Sequence, residues 1–498
     1  MAQDFVDFGT TLRGHAARDP SAPAMMDADG ALDWGAFVAL MDRVAASLQR
    51  DGVAKGQAVA ILGRNSIPYA AAFCGAVAMG GVPAPLTGSA TPQALATMIA
   101  DSGASILLAD DEDLARLDGL VPDGVTAISL QELDGWLLPE GTAPAPGDIA
   151  PDDAFNLIYS SGTTGTPKGV VQAHAMRAAY FERASAFGYD TTATTIISTP
   201  LYSNTTLVAF LPALAFGGRV VLMPKFDART FCELSQSERV THAALVPVQY
   251  DRLMALPGFD DYDLTAYRVK TSTSAPFSAS LKADVLARWP GKLVEIYGMT
   301  EGGGITLLVA DEFPTKLHTV GVPAPGSELR LIDADGKEVA PGEAGEVVGR
   351  SGGMMREYHN RPEATREAEW YDADGRRFIR HGDLGRFDED GFLELIGRAK
   401  DVIISGGFNI YPADLEAELA KEEDVADASV VGVPSDRWGE TPVAFVELRE
   451  GADPQAILAR VNARLGKTQR LSDIVVVDEL PRSSIGKVLK RVLAERYG

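Results

Sequence analysis

Cysteine is scarce in this chain of 498 residues, which contains only Cys74 and Cys232. Both lie in apolar or helical stretches, so we expect each to be a buried free thiol. Two separate thiols are too few for a disulfide framework and disfavour a thiolate metal site. Their scarcity therefore argues against the small disulfide-stapled folds and the zinc modules.

Positive charge is also in short supply. The chain has 45 lysines and arginines against 69 aspartates and glutamates, for a formal net charge of −24. This balance opposes general binding to nucleic acids or to anionic membranes. An anionic ligand would need locally placed lysines, arginines or helix ends.

Long hydrophobic runs are missing as well. The longest, Ala70–Met79, is too short and too interrupted by glycine to span a bilayer. The first residues, Met1 to Asp4, lack the basic region and apolar core of a signal peptide, so a cytoplasmic location is expected. The length and the hydrophobic content of 46% fit two or more domains with a large core.

Apolar periodicity predicts strands that alternate with helices. Residues 34–49 have the spacing of an amphipathic helix, whereas 58–62 and 293–297 are short apolar runs typical of strands. This alternation indicates α/β layers with largely parallel sheets. Turn signals become dense near residue 320, which suggests a β-rich subdomain. A small α+β unit follows Arg398, and its last helix is predicted over 487–496. We predict a large N-terminal domain over 1–399 and a small C-terminal domain over 400–498.

The most informative segment reads Tyr-Ser-Ser-Gly-Thr-Thr-Gly-Thr-Pro-Lys-Gly-Val over residues 159–170. Its glycines allow close backbone approach, and the hydroxyls of Ser160, Thr163 and Thr164 can donate to a polyphosphate beside the charge of Lys168. The spacing differs from that of a Walker loop. A Gly/Ser/Thr-rich loop alone is more often a surface turn, but the full string is far more specific.

Two further motifs offer oxygen ligands. Tyr297-Gly298-Met299-Thr300-Glu301 follows an apolar run, and its hydroxyl and carboxylate suit a magnesium ion that bridges nucleotide phosphates. In isolation this motif would more often be a helix start. Asp383 lies between glycines in the segment 380–385 and could accept hydrogen bonds from ribose hydroxyls, although a β-turn aspartate is an equal alternative.

The remaining two motifs carry lysines. Residues 397–412 contain Arg398 and Lys400 among glycines, where the change in fold character favours a hinge over an ordinary solvated linker. Near the C-terminus, residues 481–487 end in Gly-Lys, and the glycine gives Lys487 freedom to reach across a cleft. An isolated Gly-Lys would ordinarily lie at the surface.

These five motifs, in this order over almost the whole chain, resemble those of the adenylate-forming superfamily, in its acyl- and aryl-CoA synthetase branch. The similarity extends to 4-coumarate-, benzoate- and malonyl-CoA ligases. The resemblance implies an acid:CoA ligase that forms an acyl-adenylate and pyrophosphate, after which a mobile C-terminal domain rotates and the CoA thiol displaces AMP. It implies Mg²⁺ as cofactor and ATP and CoA as co-substrates, without nucleic acid or membrane insertion, and leaves a homodimer open.

The resemblance also assigns roles to individual residues. Catalytic roles would fall to Lys487, Thr300 and Glu301, with Glu301 as the magnesium ligand and Lys400 as the hinge. ATP or AMP would contact Ser160, Thr163, Thr164, Lys168, Ser274, Ala275, Pro276, Glu295, Tyr297, Gly298, Thr300, Asp383 and Arg398. The acyl pocket would contain Ser203, Asn204, Thr205, Thr273, Gly303 and Gly304. A CoA tunnel would contain Gly406, Gly407 and Phe408.

Two positions depart from the family pattern. Ser203 stands where relatives often have histidine or another gating side chain, and Thr273 stands where many have glycine. The expected pocket residues are small or neutral, which favours an aryl or hydroxycinnamic acid, or a medium-chain fatty acid. Arg268 and Lys270 are the only cations nearby in the sequence, so a dicarboxylate is disfavoured.

Three other functions fit parts of the sequence. A stand-alone adenylation enzyme would load a carrier protein in trans, and a luciferase-like oxygenase would use the same adenylate. A non-catalytic ligand-binding protein would carry a degenerate site. The last is disfavoured because Lys168, Glu301, Asp383, Arg398 and Lys487 are all intact.

Overall fold

The computed structural model describes residues 5–160, 168–405, 408–435, 438–449, 451–466, 469–482 and 487–497. The chain divides into two compact units. The first unit comprises Met1–Leu317, Pro323–Glu328 and Gly349–Ile379; the second comprises His318–Val322, Leu329–Val348 and Arg380–Gly498. The predicted boundary between residues 399 and 400 is a different division of the chain and stays a prediction.

Parallel strands dominate the first unit, as predicted. Within the described residues, its largest sheet has nine strands, of which eight lie wholly in this unit. These eight are parallel except at Thr306–Val309 and Ala31–Asp33, and run in the order Thr306–Val309, Lys292–Tyr297, Val269–Ser272, His242–Leu245, Thr194–Ile197, Arg219–Leu222, Pro23–Met26, Ala31–Asp33. A second, fully parallel sheet runs in the order Val82–Pro85, Ala58–Leu62, Ile106–Ala109, Thr126–Ser129. A third, antiparallel sheet runs in the order Glu357–Tyr358, Lys168–Ala173, Ala154–Ser160.

Helices connect these strands, and a further strand of this unit is Glu369–Tyr371. The helices are Phe8–Arg18, Trp34–Arg50, Ile67–Ala78, Pro92–Ser102, Asp111–Arg116, Leu133–Trp136, His174–Ala184, Asn204–Ala215, Ala228–Ser237, Pro247–Met254, Ala279–Arg288 and Pro362–Glu367, with 3₁₀ turns at Ser185–Phe187 and Phe259–Asp261. Because strands and helices alternate, the parallel strands can be joined by crossover helices. The predicted α/β class is confirmed.

The helix Trp34–Arg50 shows how the sequence produces these elements. The carboxylate of Asp33 accepts the N–H of Ala36 at 2.8 Å and so caps the helix. Its apolar residues recur at helical spacing, and Phe37 and Met41 are fully buried. The predicted helix over 34–49 and the predicted strand over 58–62 are therefore confirmed.

The second unit is richer in antiparallel pairing. Its own strands are Leu393–Arg398, Ile403–Ser405, Phe408–Ile410, Val425–Ser435, Gly439–Leu448 and Asp473–Val476, and its helices are Pro412–Leu419, Pro454–Arg464 and Lys490–Tyr497, with a 3₁₀ turn at Ala399–Asp401. Four strands include residues of both units: Val322–Pro323, Glu328–Ile332, Gly345–Arg350 and Arg377–Phe387. The predicted helix at Lys487 begins later, at Lys490, so Lys487 precedes the helix.

Buried apolar side chains form separate cores, and each cysteine lies in one of them. Cys74 packs in the core around Phe73 and Val44, and Cys232 packs in the core around Phe231 and Trp289. Both are buried free thiols, as predicted. Within the described part of the chain, every helix is too short or too polar to cross a bilayer.

Candidate active site

The predicted phosphate loop begins and ends on paired strands. Ala154–Ser160 and Lys168–Ala173 run antiparallel, and Ser160 faces Lys168 in the register. The two ends of the loop are therefore held together by the backbone ladder. Several predicted ligands lie outside the described residues, or have only their backbone described. The predicted ligands outside the described residues are Thr163, Thr164, Gly406 and Gly407. Only the backbone is described for Ser160 and Phe408.

A tyrosine that the sequence did not single out connects two predicted ligands. The hydroxyl of Tyr358 donates to Oε1 of Glu301 at 2.7 Å, and Nζ of Lys168 lies 5.3 Å from the centroid of the same ring. Glu301 is only 8% exposed. Burial and the charge of Glu301 raise the pKa of Tyr358, so its hydroxyl remains a donor. Tyr358 thus fixes the carboxylate beside the lysine of the loop.

The backbone after Glu301 is closely packed. Gly302 has φ +77°, and a Cβ at this position would lie 1.7 Å from the carbonyl oxygen of Gly353, so only glycine fits here. The N–H of Met355 donates to the carbonyl of Glu301 at 2.7 Å. Gly303 and Gly304, both predicted for the acyl pocket, are buried.

A second residue that the sequence did not single out, Gln172, is hydrogen-bonded to the backbone of Thr300. Nε2 of Gln172 donates to the carbonyl oxygen of Thr300 at 2.7 Å. Gln172 belongs to the strand that follows the phosphate loop and is fully buried. Two side chains, those of Gln172 and Tyr358, therefore connect the strand Lys168–Ala173 with the Thr300–Glu301 segment.

The predicted adenine segment and the predicted acyl pocket meet at one hydrogen bond. The hydroxyls of Ser274 and Thr205 lie 2.5 Å apart. Ser274 has φ +78°, a left-handed conformation that is strained for serine and that this bond helps to hold. Thr273 and Ala275 are half-buried, and Pro276 is exposed.

Glu295, predicted to lie beside the adenine, has its carboxylate committed elsewhere. It forms a buried ion pair with Lys282, whose Nζ also donates to the carbonyl of Leu317 at 2.7 Å. Burial raises the pKa of Glu295 to about 7 against the opposing charge of Lys282. Tyr297 and Gly298, at the end of the same strand, are half-buried.

The acyl-pocket candidates sit at the start of the helix Asn204–Ala215. The side chain of Ser203 accepts the N–H of Thr205 at 3.3 Å and caps this helix. The two cations considered from the sequence are engaged elsewhere. Nζ of the buried Lys270 donates to the carbonyls of Trp289, Pro290 and Gly291, and Arg268 binds Asp190 and Thr192.

In the second unit, Asp383 and Arg398 face each other across paired strands. Their side chains are joined by an ion pair of 2.8 Å between Oδ1 and Nε. Burial and the charge of Arg398 lower the pKa of the neighbouring His381 to about 4, so this histidine is neutral near pH 7. Lys400, in the 3₁₀ turn, and Lys487 are both exposed.

Glu301 has the chemistry expected of a magnesium ligand in a nucleotide site. Among the described residues, no cluster of three or more histidines, cysteines, aspartates and glutamates surrounds a common point. Magnesium is usually held by one or two carboxylates together with waters and substrate phosphates, so a single carboxylate beside a phosphate loop is sufficient. The residues present therefore fit this ion.

In a largely parallel α/β unit, Lys168 follows a Ser/Thr/Gly-rich segment and lies near Tyr358, which binds the buried Glu301 next to the half-buried Thr300. This arrangement is typical of a nucleotide-dependent enzyme. The model of the AMP-binding enzyme family matches residues 12–359, and that of the AMP-binding enzyme C-terminal domain matches residues 414–487. The chain belongs to this adenylate-forming family, in its acyl- and aryl-CoA ligase branch, and is an AMP-forming acid–thiol ligase.

Similar proteins cover nearly the whole chain. Indoleacetate–CoA ligase of Aromatoleum aromaticum is 32% identical over 96% of this chain and 95% of its own. A fatty acid–[acyl-carrier-protein] ligase, ScoC, of Streptomyces coeruleorubidus is 31% identical over 98% and 96%. The crystal structure of ATP-bound MatB from Rhodopseudomonas palustris superposes with a TM-score of 0.88 at 28% identity, covering 99% of each chain.

Proposed function

We propose that this ligase activates a carboxylic acid with an uncharged tail, an aryl or hydroxycinnamic acid or a medium-chain fatty acid, and transfers it to CoA. The observation that carries the proposal is how the two cations closest to Thr273 in the sequence are bound. Lys270 donates to three backbone carbonyls and Arg268 is paired with Asp190, so neither offers a free charge to a second carboxylate. The candidate pocket residues themselves are neutral.

In the first half-reaction, a carboxylate oxygen of the acid attacks the α-phosphorus of ATP, and pyrophosphate leaves. Lys168 would hold the terminal phosphates together with Ser160, Thr163 and Thr164, and Thr300 would position the α-phosphate. Mg²⁺ on Glu301 would neutralise phosphate charge when bound. Nucleotidyl transfer of this kind needs positioning and charge neutralisation rather than a protein nucleophile.

The remaining roles follow the same proposal. Lys487 would bridge the carboxylate and the α-phosphate, and Asp383, oriented by its ion pair with Arg398, would accept from the ribose hydroxyls. The adenine would lie among Ser274, Ala275, Pro276, Glu295, Tyr297 and Gly298. The C-terminal domain would then pivot at Lys400, and CoA would enter past Gly406, Gly407 and Phe408 to displace AMP.

A panel of acids tests the substrate class. Thioester formation with ATP and CoA should give the highest kcat/KM for neutral aryl or medium-chain acids. Dicarboxylates of matched length should be poorer substrates because one carboxylate would be buried without a partner. A dicarboxylate with the highest kcat/KM would contradict the proposal.

A second candidate function is the loading of a carrier protein in trans, favoured by the similarity to the acyl-carrier-protein ligase ScoC. Pyrophosphate release and product formation can be followed with CoA, with a phosphopantetheinylated carrier protein, and with neither. Turnover that CoA does not support but the carrier does would select this alternative.

A further inference from the structure

A fully buried arginine lies behind the proposed acyl pocket. Arg177, in the helix His174–Ala184, is 1% exposed. Its Nε and Nη2 donate to Oδ1 of Asn156 at 3.0 and 2.9 Å, and Nη2 also donates to Oε1 of Gln172. Within the described ranges Arg177 has no carboxylate partner, so amide oxygens compensate its charge.

This arginine dictates how the neighbouring amides point. A guanidinium can only donate hydrogen bonds. Burial lowers the pKa of Arg177 to about 10, which still leaves it protonated near neutral pH. The oxygens of Asn156 and Gln172 must therefore face Arg177, and Nδ2 of Asn156 accordingly donates to Oε1 of Gln172 at 3.0 Å.

The orientation of Gln172 is passed on to the candidate pocket. With its oxygen turned to Arg177, Gln172 directs Nε2 to the carbonyl of Thr300 at 2.7 Å and to Oδ1 of Asn204 at 3.4 Å. The oxygen of Asn204 is thus used as an acceptor, and its Nδ2 is turned away from Gln172. In the part of the chain that the structure describes, Nδ2 of Asn204 has no acceptor.

We propose that Arg177, Asn156 and Gln172 form an amide relay that fixes Asn204 with its NH₂ group towards the acyl pocket. The pocket then selects acids whose tail carries a hydrogen-bond acceptor, such as an ether, carbonyl or phenolic oxygen. This inference rests on the proposed function, which places Asn204 in the acyl pocket. Gln172 is a positioning residue, and Asn204 is the residue that determines specificity.

The variant Gln172→Glu reverses the relay with almost no change in shape. The new carboxylate still accepts from Arg177, but it can donate neither to Asn204 nor to the carbonyl of Thr300. Absolute rates should therefore fall for every acid, and the ratios between acids carry the test. Asn204 must therefore turn its NH₂ group towards residue 172 and present its oxygen to the pocket. The preferred tail group should change from an acceptor to a donor.

Three nearly isosteric ring substituents measure this change in substrate preference. Aryl acids with methoxy, ethyl or methylamino groups at each ring position offer an acceptor, neither group, or a donor. In the parent, the methoxy acid should exceed the ethyl acid in kcat/KM by about two- to tenfold at one ring position, the range of a neutral hydrogen bond. Gln172→Glu should lose this preference and favour methylamino at the same position.

The control for a buried glutamine is Gln249→Glu, because Gln249 lies in the same unit outside the relay and bonds Ser198 and Val246. It should keep the methoxy preference of the parent. A methoxy-to-ethyl ratio that is the same in the parent and in Gln172→Glu would overturn the inference. Turnover of the acids without any such ratio would overturn it while leaving the proposed function intact.

A stability measurement tests the first contact of the relay, between Arg177 and residue 172, even if none of these acids is a substrate. Arg177→Met should destabilise the Gln172→Glu protein more than it destabilises the parent, because it would leave a buried carboxylate without its cation. Equal losses in the two backgrounds would contradict the contact between residues 172 and 177. Failure of every acid with unequal losses would instead count against the proposed substrate class.

Discussion

The two units hold their candidate site residues to different degrees. In the first unit, Glu301 is buried and hydrogen-bonded to Tyr358, whose ring lies near Lys168. In the second, Asp383 and Arg398 are ion-paired, whereas Lys400 and Lys487 are exposed. Groups fixed before the ligand arrives lose little entropy on binding, whereas an exposed lysine loses more side-chain freedom when it binds. We infer that the nucleotide contacts are preorganised and that the two exposed lysines of the second unit provide charge for individual steps.

The largest effect is expected for Lys487, one of the two exposed lysines of the second unit. Lys487→Ala should slow adenylate formation by about 10²–10³-fold, the loss seen when one charge-stabilising contact is removed. Thioester formation from pre-made acyl-adenylate should be largely spared. Both half-reactions can be followed separately by pyrophosphate release and by thioester formation.

The control for Lys487→Ala is Arg491→Ala, which removes an exposed cation from the following helix. This variant should keep both half-reactions near the values of the parent. An equal loss of both half-reactions in Lys487→Ala would refute its assignment to one step.

A second variant tests whether Lys400 is the pivot. Lys400→Pro restricts φ to near −65° and removes an N–H donor, so the domain should no longer alternate between two poses. Adenylation should persist while the CoA step slows. Lys400→Ala removes the charge but keeps backbone freedom, and should stay close to the parent. If the proline variant turns over like the alanine variant, the pivot lies elsewhere.

A smaller effect is expected within the preorganised site. Tyr358→Phe removes the hydrogen bond to Glu301, and bonds to charged groups contribute about 1.5–3 kcal/mol. Because the bond is present before and during the reaction, only part of this energy should appear in the rate, and we expect adenylation to slow about tenfold. The measurement is pyrophosphate release at saturating ATP and acid.

Tyr371→Phe is the matched control, because the exposed Tyr371 also donates to a carboxylate, that of Glu369, at 2.9 Å. This variant should leave adenylation unchanged. Equal rates in the two variants would mean that the contact with Glu301 does not organise the site.

Each unit contains a buried histidine that should make the protein less stable at low pH. Burial lowers the pKa of His174 in the first unit and of His381 in the second to about 4. The unfolded chain takes up these protons below its ordinary pKa near 6.5, while the folded chain does not until about pH 4. Stability is therefore fully present above pH 6.5 and is lost as the pH falls, by about 2 kcal/mol per histidine at pH 5.

Denaturant unfolding near pH 7.5 and near pH 5 measures this loss. His174→Gln and His381→Gln should each reduce the difference between the two pH values. A variant with the same pH dependence as the parent would mean that its histidine is not buried as a neutral group.

The sequence predicted what is local. Apolar periodicity located the helix at Trp34 and the strand Ala58–Leu62, because burial of one face imposes a repeat on neighbouring residues. The contacts that organise the candidate site have no such repeat. Tyr358 and Glu301 are 57 residues apart, and Gln172 and Thr300 are 128 apart. Only the folded sheets bring these pairs together, so no local pattern could reveal them.

The helix near Lys487 illustrates a different limit. A helix was predicted over 487–496, but its first residue is Lys490. Helix ends depend on capping and on neighbouring contacts rather than on periodicity. The pairing of Glu295 with Lys282 was hidden for a similar reason, since a motif residue shows its position but not the direction of its side chain.

The two native cysteines can report local unfolding of the protein. Burial raises the pKa of both thiols, for Cys232 to about 12, so the thiolate that reacts with alkylating reagents is suppressed in the folded protein. Cys74 and Cys232 belong to different hydrophobic cores. Labelling at each therefore times the transient exposure of its own core, and mass spectrometry of the two peptides would give separate opening rates without any engineered probe.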